Sequence, residues 1–429
     1  MSCKAFIFAL FLSTGLVTCK DNNNLFCVYE TSNTTLKDYH CKLYLSHFLP
    51  YSGKKSEACF DNGLHVIVIR PEEVGVKTSK RVNSGIKTGD RSVNFSIVRR
   101  ITPGNLSKNK KPRVLVIGDS VTDEYGSDSN KSESWLPNQY WAYAKMFFEK
   151  ERIDNGDNPE EYNSIFLGTR SVGDFTINYN GVKRTIRARA EGYGGAALQE
   201  LFEPTLGNQK KLNRFYDNNH NTFSSLLYLE RYRTMDDQGE RLVSASVNPA
   251  GEVVKGSDGK EYKVGSEIKT QSLLSSVDVC TPSIVVVNLC HNTSLDNYKM
   301  KIGPLVNIIH KELPETQIVI MTIDETGTLF PQDYPEYDEN RIMYKGYLHD
   351  KNAKIYNYLK DNVENEKEGV YLLAAQFVMP TAEGYPTILS NNTKVQNPKV
   401  IGPEYHPNNK VHEAWGYALY SMIKYLITD

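Results

Sequence analysis

The sequence predicts an α/β fold, a parallel sheet with helices on both faces, preceded by a small β-rich, sandwich-like domain. Three observations carry that expectation. Val114-Leu-Val-Ile117 is an apolar run, mostly β-branched, that stops abruptly at Gly118-Asp119-Ser120, as a strand buried on both faces does at its end. From there to the C-terminus, strand-like and helix-like segments alternate, which is how a parallel sheet with crossover helices is written. Between Leu25 and about Ile101 the segments are short, alternate in polarity and are broken by Gly, Asn and Pro, with no helical period; that pattern is β-rich.

The elements follow in order. Cys41-Lys-Leu-Tyr-Leu, His65-Val-Ile-Val-Ile-Arg and Val93-Asn-Phe-Ser-Ile-Val are candidate strands of the N-terminal domain, residues 20–105. Pro103 to Pro112 is a polar linker of the kind that separates domains. Residues 106–429 then hold the strand ending at Gly118, a helix over Asn138–Lys150, a strand at Ser164–Thr169 and another at Thr185–Ala190. After these come strands at Pro282–Leu289, Thr316–Ile323 and Val370–Leu373, with helices at Met300–Leu313, Lys354–Val363 and His412–Leu426. Residues 205–271 interrupt the rhythm with polar, Gly-containing segments too long for a bare connection. They read as an insertion beside the site rim or as a surface excursion.

Composition bounds the partners. The chain has 429 residues, 40% hydrophobic and 24% charged, with 50 Lys and Arg against 51 Asp and Glu. Such a chain can bury a real core. The balanced charge offers no basic footprint for nucleic acid. The N-terminus carries one early cation and an apolar stretch too short to span a bilayer, so residues 1–19 read as a secretory signal. Leu16-Val17-Thr18-Cys19 is similar to a bacterial lipobox, with Lys20-Asp21 after it resembling the charged signal of Bacteroidetes surface lipoproteins. Acylated Cys19 would anchor the protein to an outer membrane, at the cell surface, without spanning it; an ordinary cleaved signal is the alternative. Cys27, Cys41, Cys59, Cys280 and Cys290 remain, an odd number that allows disulfides and leaves at least one thiol free. No Cys-x-x-Cys pair occurs and the His are not clustered with Cys at ligand spacing, so no metal is expected.

Ser120 follows a buried strand, where open α/β sheets place their chemistry, although a serine there can also serve as a helix N-cap. A serine hydroxyl needs a base and donors for the oxyanion it creates. Glu191-Gly-Tyr-Gly-Gly-Ala196 and Asn288-Leu-Cys-His-Asn-Thr293 follow later strands, and two histidines, His406 and His412, precede Gly416-Tyr417 near the C-terminus.

Gly118-Asp-Ser-Val-Thr122 resembles the first block of the SGNH, or GDSL-type, hydrolases, and the three later stretches match the remaining blocks in order. The resemblance covers roughly residues 110–429. It implies a three-layer α/β/α domain in which Ser120 is the nucleophile. Backbone N–H groups of Ser120 and Gly195, with the Asn292 amide, would form the oxyanion hole. The third block departs from the family's Gly-x-Asn-Asp, with Cys290 and Thr293 in place of Gly and Asp. The last block gives His412 as base with His406 as alternative. The usual Asp is missing, so Asn409 or Glu404 is left to orient the imidazole. The resemblance implies acyl transfer through an acyl-enzyme with no cofactor. In the likeness of Bacteroidetes carbohydrate esterases, the expected substrate is an O-acyl, above all O-acetyl, ester on a polysaccharide or glycan. A glycan-binding lipoprotein with a degenerate site is the alternative.

Overall fold

The computed structural model describes residues 25–31, 41–44, 66–69, 74, 76–88, 91–104, 112–123, 139–157, 164–168, 175–186, 188–231, 253–255, 261–263, 281–323, 339–378, 387–389, 399–401 and 409–428. Five strands come first: β1 (Leu25–Thr31), β2 (Cys41–Tyr44), β3 (Val66–Ile69), β4 (Thr78–Thr88) and β5 (Arg91–Thr102). Then follow β6 (Arg113–Gly118), α1 (Tyr140–Asp154), β7 (Ile165–Leu167), β8 (Phe175–Tyr179), β9 (Val182–Ile186) and β10 (Glu191–Gly192). Three short hairpins, β11–β12 (Thr205–Leu206, Lys211–Leu212), β13–β14 (Tyr216–Asp217, Thr222–Phe223) and β15–β16 (Val253–Lys255, Glu261–Lys263), flank α2 (Ser225–Arg231). The rest is β17 (Ile284–Asn288), α3 (Leu295–Glu312), β18 (Gln317–Thr322), α4 (Glu339–Asn362), β19 (Val370–Ala374), the pair β20–β21 (Thr387–Leu389, Lys399–Ile401) and α5 (Asn409–Ile427).

The central sheet is parallel, in the order β10-β6-β17-β18-β19, with β7 also paired to β6. β7 pairs with the first half of β6 and β10 with the second, so these two short strands together fill one place in the sheet. Gly168 makes the join possible, since a Cβ there would lie 2.3 Å from the Ala190 carbonyl oxygen. β17 is buried along its whole length and β6 and β18 nearly so, which requires cover on both faces. The α/β class with a parallel sheet and helices is therefore present.

One element departs from expectation. Residues 175–186 form an antiparallel hairpin, and only Glu191–Gly192 joins the sheet. The cause is the Asn180-Gly181 turn, with φ of 50° and 78°, the pairing that a two-residue hairpin favours. It reverses the chain before a long strand at 185–190 can run on. Helix α3 also begins earlier than the apolar spacing suggests, because the Ser294 side chain accepts from Asn297 N at 3.3 Å and caps it.

Helices α1 and α5 pack face to face. Gly416 is their crossing point: a Cβ there would meet the Tyr143 side chain at 2.4 Å and the Tyr140 carbonyl at 2.7 Å. Helix α1 is buried on nearly every side, charges included, so those charges need partners. Lys145 pairs with Glu149 at 3.1 Å, Arg152 with Asp157 at 3.3 Å, and Glu151 with Lys424 of α5 and with the Tyr420 hydroxyl at 2.7 Å.

At the N-terminus, β5 pairs with β1 in parallel and with β4 antiparallel. Tyr29, Ile97 and Val98 belong to the same apolar cluster as the central strands and α5. Arg100, buried, donates to the Tyr425 hydroxyl at 3.1 Å and pairs with Glu366, so the N-terminal strands and the α/β part share one core. Cys27 is disulfide-bonded, and Cys290 is free and buried. Among the described residues, no helix is long and apolar enough to cross a membrane.

Candidate active site

The register of the sheet brings three turns to one edge. Gly118 lies opposite Gly192 on one side and Asn288 on the other. The segments carrying Ser120, Gly195 and Asn292 therefore leave the sheet side by side from its carboxyl end, where parallel α/β folds bind ligands.

Beyond Gly118 the chain starts a helical turn whose cap is Asp119, not Ser120. The Asp119 carbonyl accepts from Thr122 N at 3.0 Å and Asp123 N at 2.9 Å, and its side chain accepts from Val121 N at 3.1 Å. An N-cap residue makes these bonds. Ser120 is thus relieved of capping and is partly exposed in the turn that follows the strand.

The second turn is wedged against the first. Tyr193 N donates to Gly118 O at 3.0 Å, and Gly194 N to the Asp123 carboxylate at 2.8 Å. Gly195 has φ of 76°, and its missing Cβ would fall 2.3 Å from the Asn208 carboxamide. The positive φ favours glycine there, and any Cβ would require the Asn208 side chain to move. The start of the expected insertion, residues 205–231, is no loose excursion. Gly194 O accepts from Asn208 N at 2.9 Å. Phe215 stacks on Phe223 and Tyr228, and the Tyr228 hydroxyl reaches the buried Glu191 carboxylate at 2.8 Å. Tyr193 holds the other Glu191 oxygen at 2.6 Å, with Arg214 3.9 Å away.

The third turn follows β17. Asn292 is exposed, while Cys290 and Thr293 on either side are buried. The Thr293 hydroxyl accepts from Leu198 N at 2.8 Å and donates to Leu289 O at 2.6 Å. Lys351 of α4 donates to His291 O. Cys290 is thus packed into the core, and Thr293 ties this turn to the second one by hydrogen bonds.

His412 lies in the first turn of α5 and is buried, 2% exposed. Its ring stacks on Tyr140, centroids 6.5 Å apart, and meets Trp415 edge-on at 5.8 Å. The Tyr140 hydroxyl in turn contacts the Thr122 hydroxyl at 2.9 Å and accepts from the Asn288 amide at 3.2 Å. Burial raises the Tyr140 phenol above its ordinary value, against the lowering effect of these two bonds, so it stays protonated. His412 therefore stands one aromatic ring away from the serine turn. Asn409 opens α5 and is partly exposed. His406, Glu404 and Cys19 lie outside the described residues.

Sequence reasoning missed Asp123, Tyr140, Glu191 and Asn208. Asp123 follows Ser120 by only three positions and was within reach of a local reading. The role of each, Asp123 included, comes from a partner on another element: Gly194 for Asp123 and Asn208, Asn288 for Tyr140 and Tyr228 for Glu191. Among the described residues no group of three or more His, Cys, Asp or Glu could hold a metal.

No protein-family model matches the chain. No curated protein matches it either. Among solved structures, a chain from Parabacteroides merdae, provisionally described as a GDSL-like lipase, aligns with a TM-score of 0.31 at 11% identity, covering 75% of this chain and 100% of that one. So slight a likeness carries no argument about fold or activity.

Proposed function

We propose that the protein is a serine esterase of the SGNH type that removes O-acyl groups, O-acetyl first among them, from a polysaccharide or glycan. The observation that carries the reading is the capping of the serine turn by Asp119, which leaves the Ser120 hydroxyl available at the sheet edge beside two turns able to supply donors. In the proposed cycle Ser120 attacks the ester carbonyl, and Ser120 N–H, Gly195 N–H and the Asn292 amide receive the developing charge. A C-terminal imidazole takes the serine proton and passes it to the leaving alcohol; water then resolves the acyl-enzyme. The base is His412, with His406 as alternative. Asn409 or Glu404 would orient it.

The glycan part of the proposal rests on the lipobox-like Cys19 and the family resemblance alone. Lipid on Cys19 would place the enzyme at the cell surface. Incorporation of labelled palmitate by the full chain, and its loss in Cys19→Ala, tests that anchor.

A second reading, a glycan-binding protein on a degenerate hydrolase scaffold, is favoured by the burial of His412 against Tyr140 and Trp415. Acetate release from p-nitrophenyl acetate separates the two. Release by the wild type and not by Ser120→Ala supports the esterase; equal rates from both proteins would leave the binder.

A further inference from the structure

We propose that Asp123 is a positioning residue for the oxyanion donors: its carboxylate holds the Gly194 N–H, in the peptide just before the one that carries Gly195 N–H, and so fixes the turn from which Gly195 N–H meets the substrate oxygen. The inference rests on the serine-esterase reading above.

Asp123 is buried and belongs to the same turn as Ser120. Its backbone is fixed on both sides, N–H on Asp119 O at 2.9 Å and carbonyl on the Gln139 side chain. Its carboxylate accepts from Gly194 N at 2.8 Å, crossing from the turn that holds the nucleophile to the turn that holds the second donor. Lys211, from the hairpin β11–β12, places its ammonium 4.0 Å from the same oxygen, supplying a counter-charge to this buried acid.

The geometry of the peptide unit supplies the rest. In a trans peptide the C=O and the following N–H point in opposite directions. Gly194 O is held by Asn208 N at 2.9 Å, so Gly195 N–H is aimed away from residue 208. The Asp123 bond fixes the preceding N–H of Gly194, and the two anchors together remove the freedom that consecutive glycines would otherwise have. The close fit is part of the device: a Cβ on Gly192 would come within 2.4 Å of Asp123 N.

The test uses the purified full chain with p-nitrophenyl acetate and, as a tetrahedral mimic, an aryl boronic acid. Asp123→Ala is expected to lower kcat by about 100-fold, the scale of losing one oxyanion donor, with KM changed less than about two-fold. Boronate affinity should fall in parallel. Asp123→Asn, which still offers an acceptor to Gly194 N–H, should recover kcat to within about ten-fold of wild type. Asp123→Ser, polar but too short to reach Gly194, should behave as the alanine variant does and replaces it if that one does not fold. If Ser120→Ala is inactive while Asp123→Ala and Asp123→Ser keep kcat within about three-fold of wild type, the positioning role is wrong and the esterase reading stands. If Ser120→Ala keeps the wild-type rate, both fall together.

Discussion

The hydroxyl of Thr293 joins two turns of the candidate site: it accepts from Leu198 N at 2.8 Å and donates to Leu289 O at 2.6 Å. Threonine stands where the family resemblance leads one to expect an aspartate, and the structure shows what it does instead. Thr293→Val keeps the shape and strands a buried N–H, which costs about 1–3 kcal/mol. A lower urea midpoint for Thr293→Val, with Thr293→Ser near wild type, is the expected outcome. Equal midpoints for all three would remove the joint from the argument.

The glycines of the second turn should differ in tolerance. A Cβ on Gly192 would strike the Thr122 and Asp123 backbone at 2.4 Å, whereas one on Gly194 would meet only the Asp123 carboxylate at 3.4 Å. Gly192→Ala should therefore lower the melting temperature well beyond Gly194→Ala. Gly195→Ala falls between them in stability, because the exposed Asn208 side chain can swing aside while the positive φ costs about 1–2 kcal/mol. Thermal unfolding of the three variants checks the order.

The two histidines can be told apart by rate. Under the esterase reading, one of His412→Ala and His406→Ala loses p-nitrophenyl acetate hydrolysis as fully as Ser120→Ala, and the other stays within about ten-fold of wild type. His412→Ala should in either case lose stability, because its ring is buried between Tyr140 and Trp415. Full activity in both variants would remove the base and with it the proposed chemistry.

Glu364 gives the fold a pH dependence. Burial pushes its carboxyl from 4.5 up to about 7, Glu366 adds to the rise, and Arg100 opposes it. Below about 4.5 the group is protonated in both folded and unfolded chains, and its contribution is fully present. Between about 4.5 and 7 the unfolded chain ionises and the folded one resists, so stability is lost as pH rises, by up to roughly 3 kcal/mol. Glu364→Gln should be more stable than wild type at pH 8, with the difference shrinking toward pH 4. Urea midpoints at pH 4, 6 and 8 measure this; a gap independent of pH would show that Glu364 is not the cause.

Arg100 ties the N-terminal strands to α5 through Tyr425 and to Glu366. Removing one member of a buried ion pair costs about 3–5 kcal/mol because its partner is left uncompensated. Arg100→Ala should lower the urea midpoint and speed tryptic cleavage of the full chain. Replacement without effect on either would mean that the shared core alone holds the two parts together.

Much of the fold was legible in local pattern. The apolar runs at 114–117, 284–287 and 318–321 read as buried strands because hydrocarbon that must leave water on both faces shows no alternation. The Asn180-Gly181 turn went unread, although its dipeptide is one whose positive φ angles reverse a chain. Gly416 looked like a mark of the catalytic block, yet it is the point where α5 crosses α1. Nothing in its neighbours along the chain could have shown that.

By itself, then, the sequence determined the alternation of strands and helices and the placing of Ser120 at a strand's end, because periodicity and turn chemistry act between near neighbours. Only the tertiary structure decided that two short strands share one place beside β6, that Thr293 bonds a residue 95 positions away and that Asp123 reaches one 71 positions away. Such contacts form when distant turns are brought to one sheet edge, and the pairing of a carboxylate with a particular backbone N–H there depends on register and packing across the whole core, which no local pattern encodes.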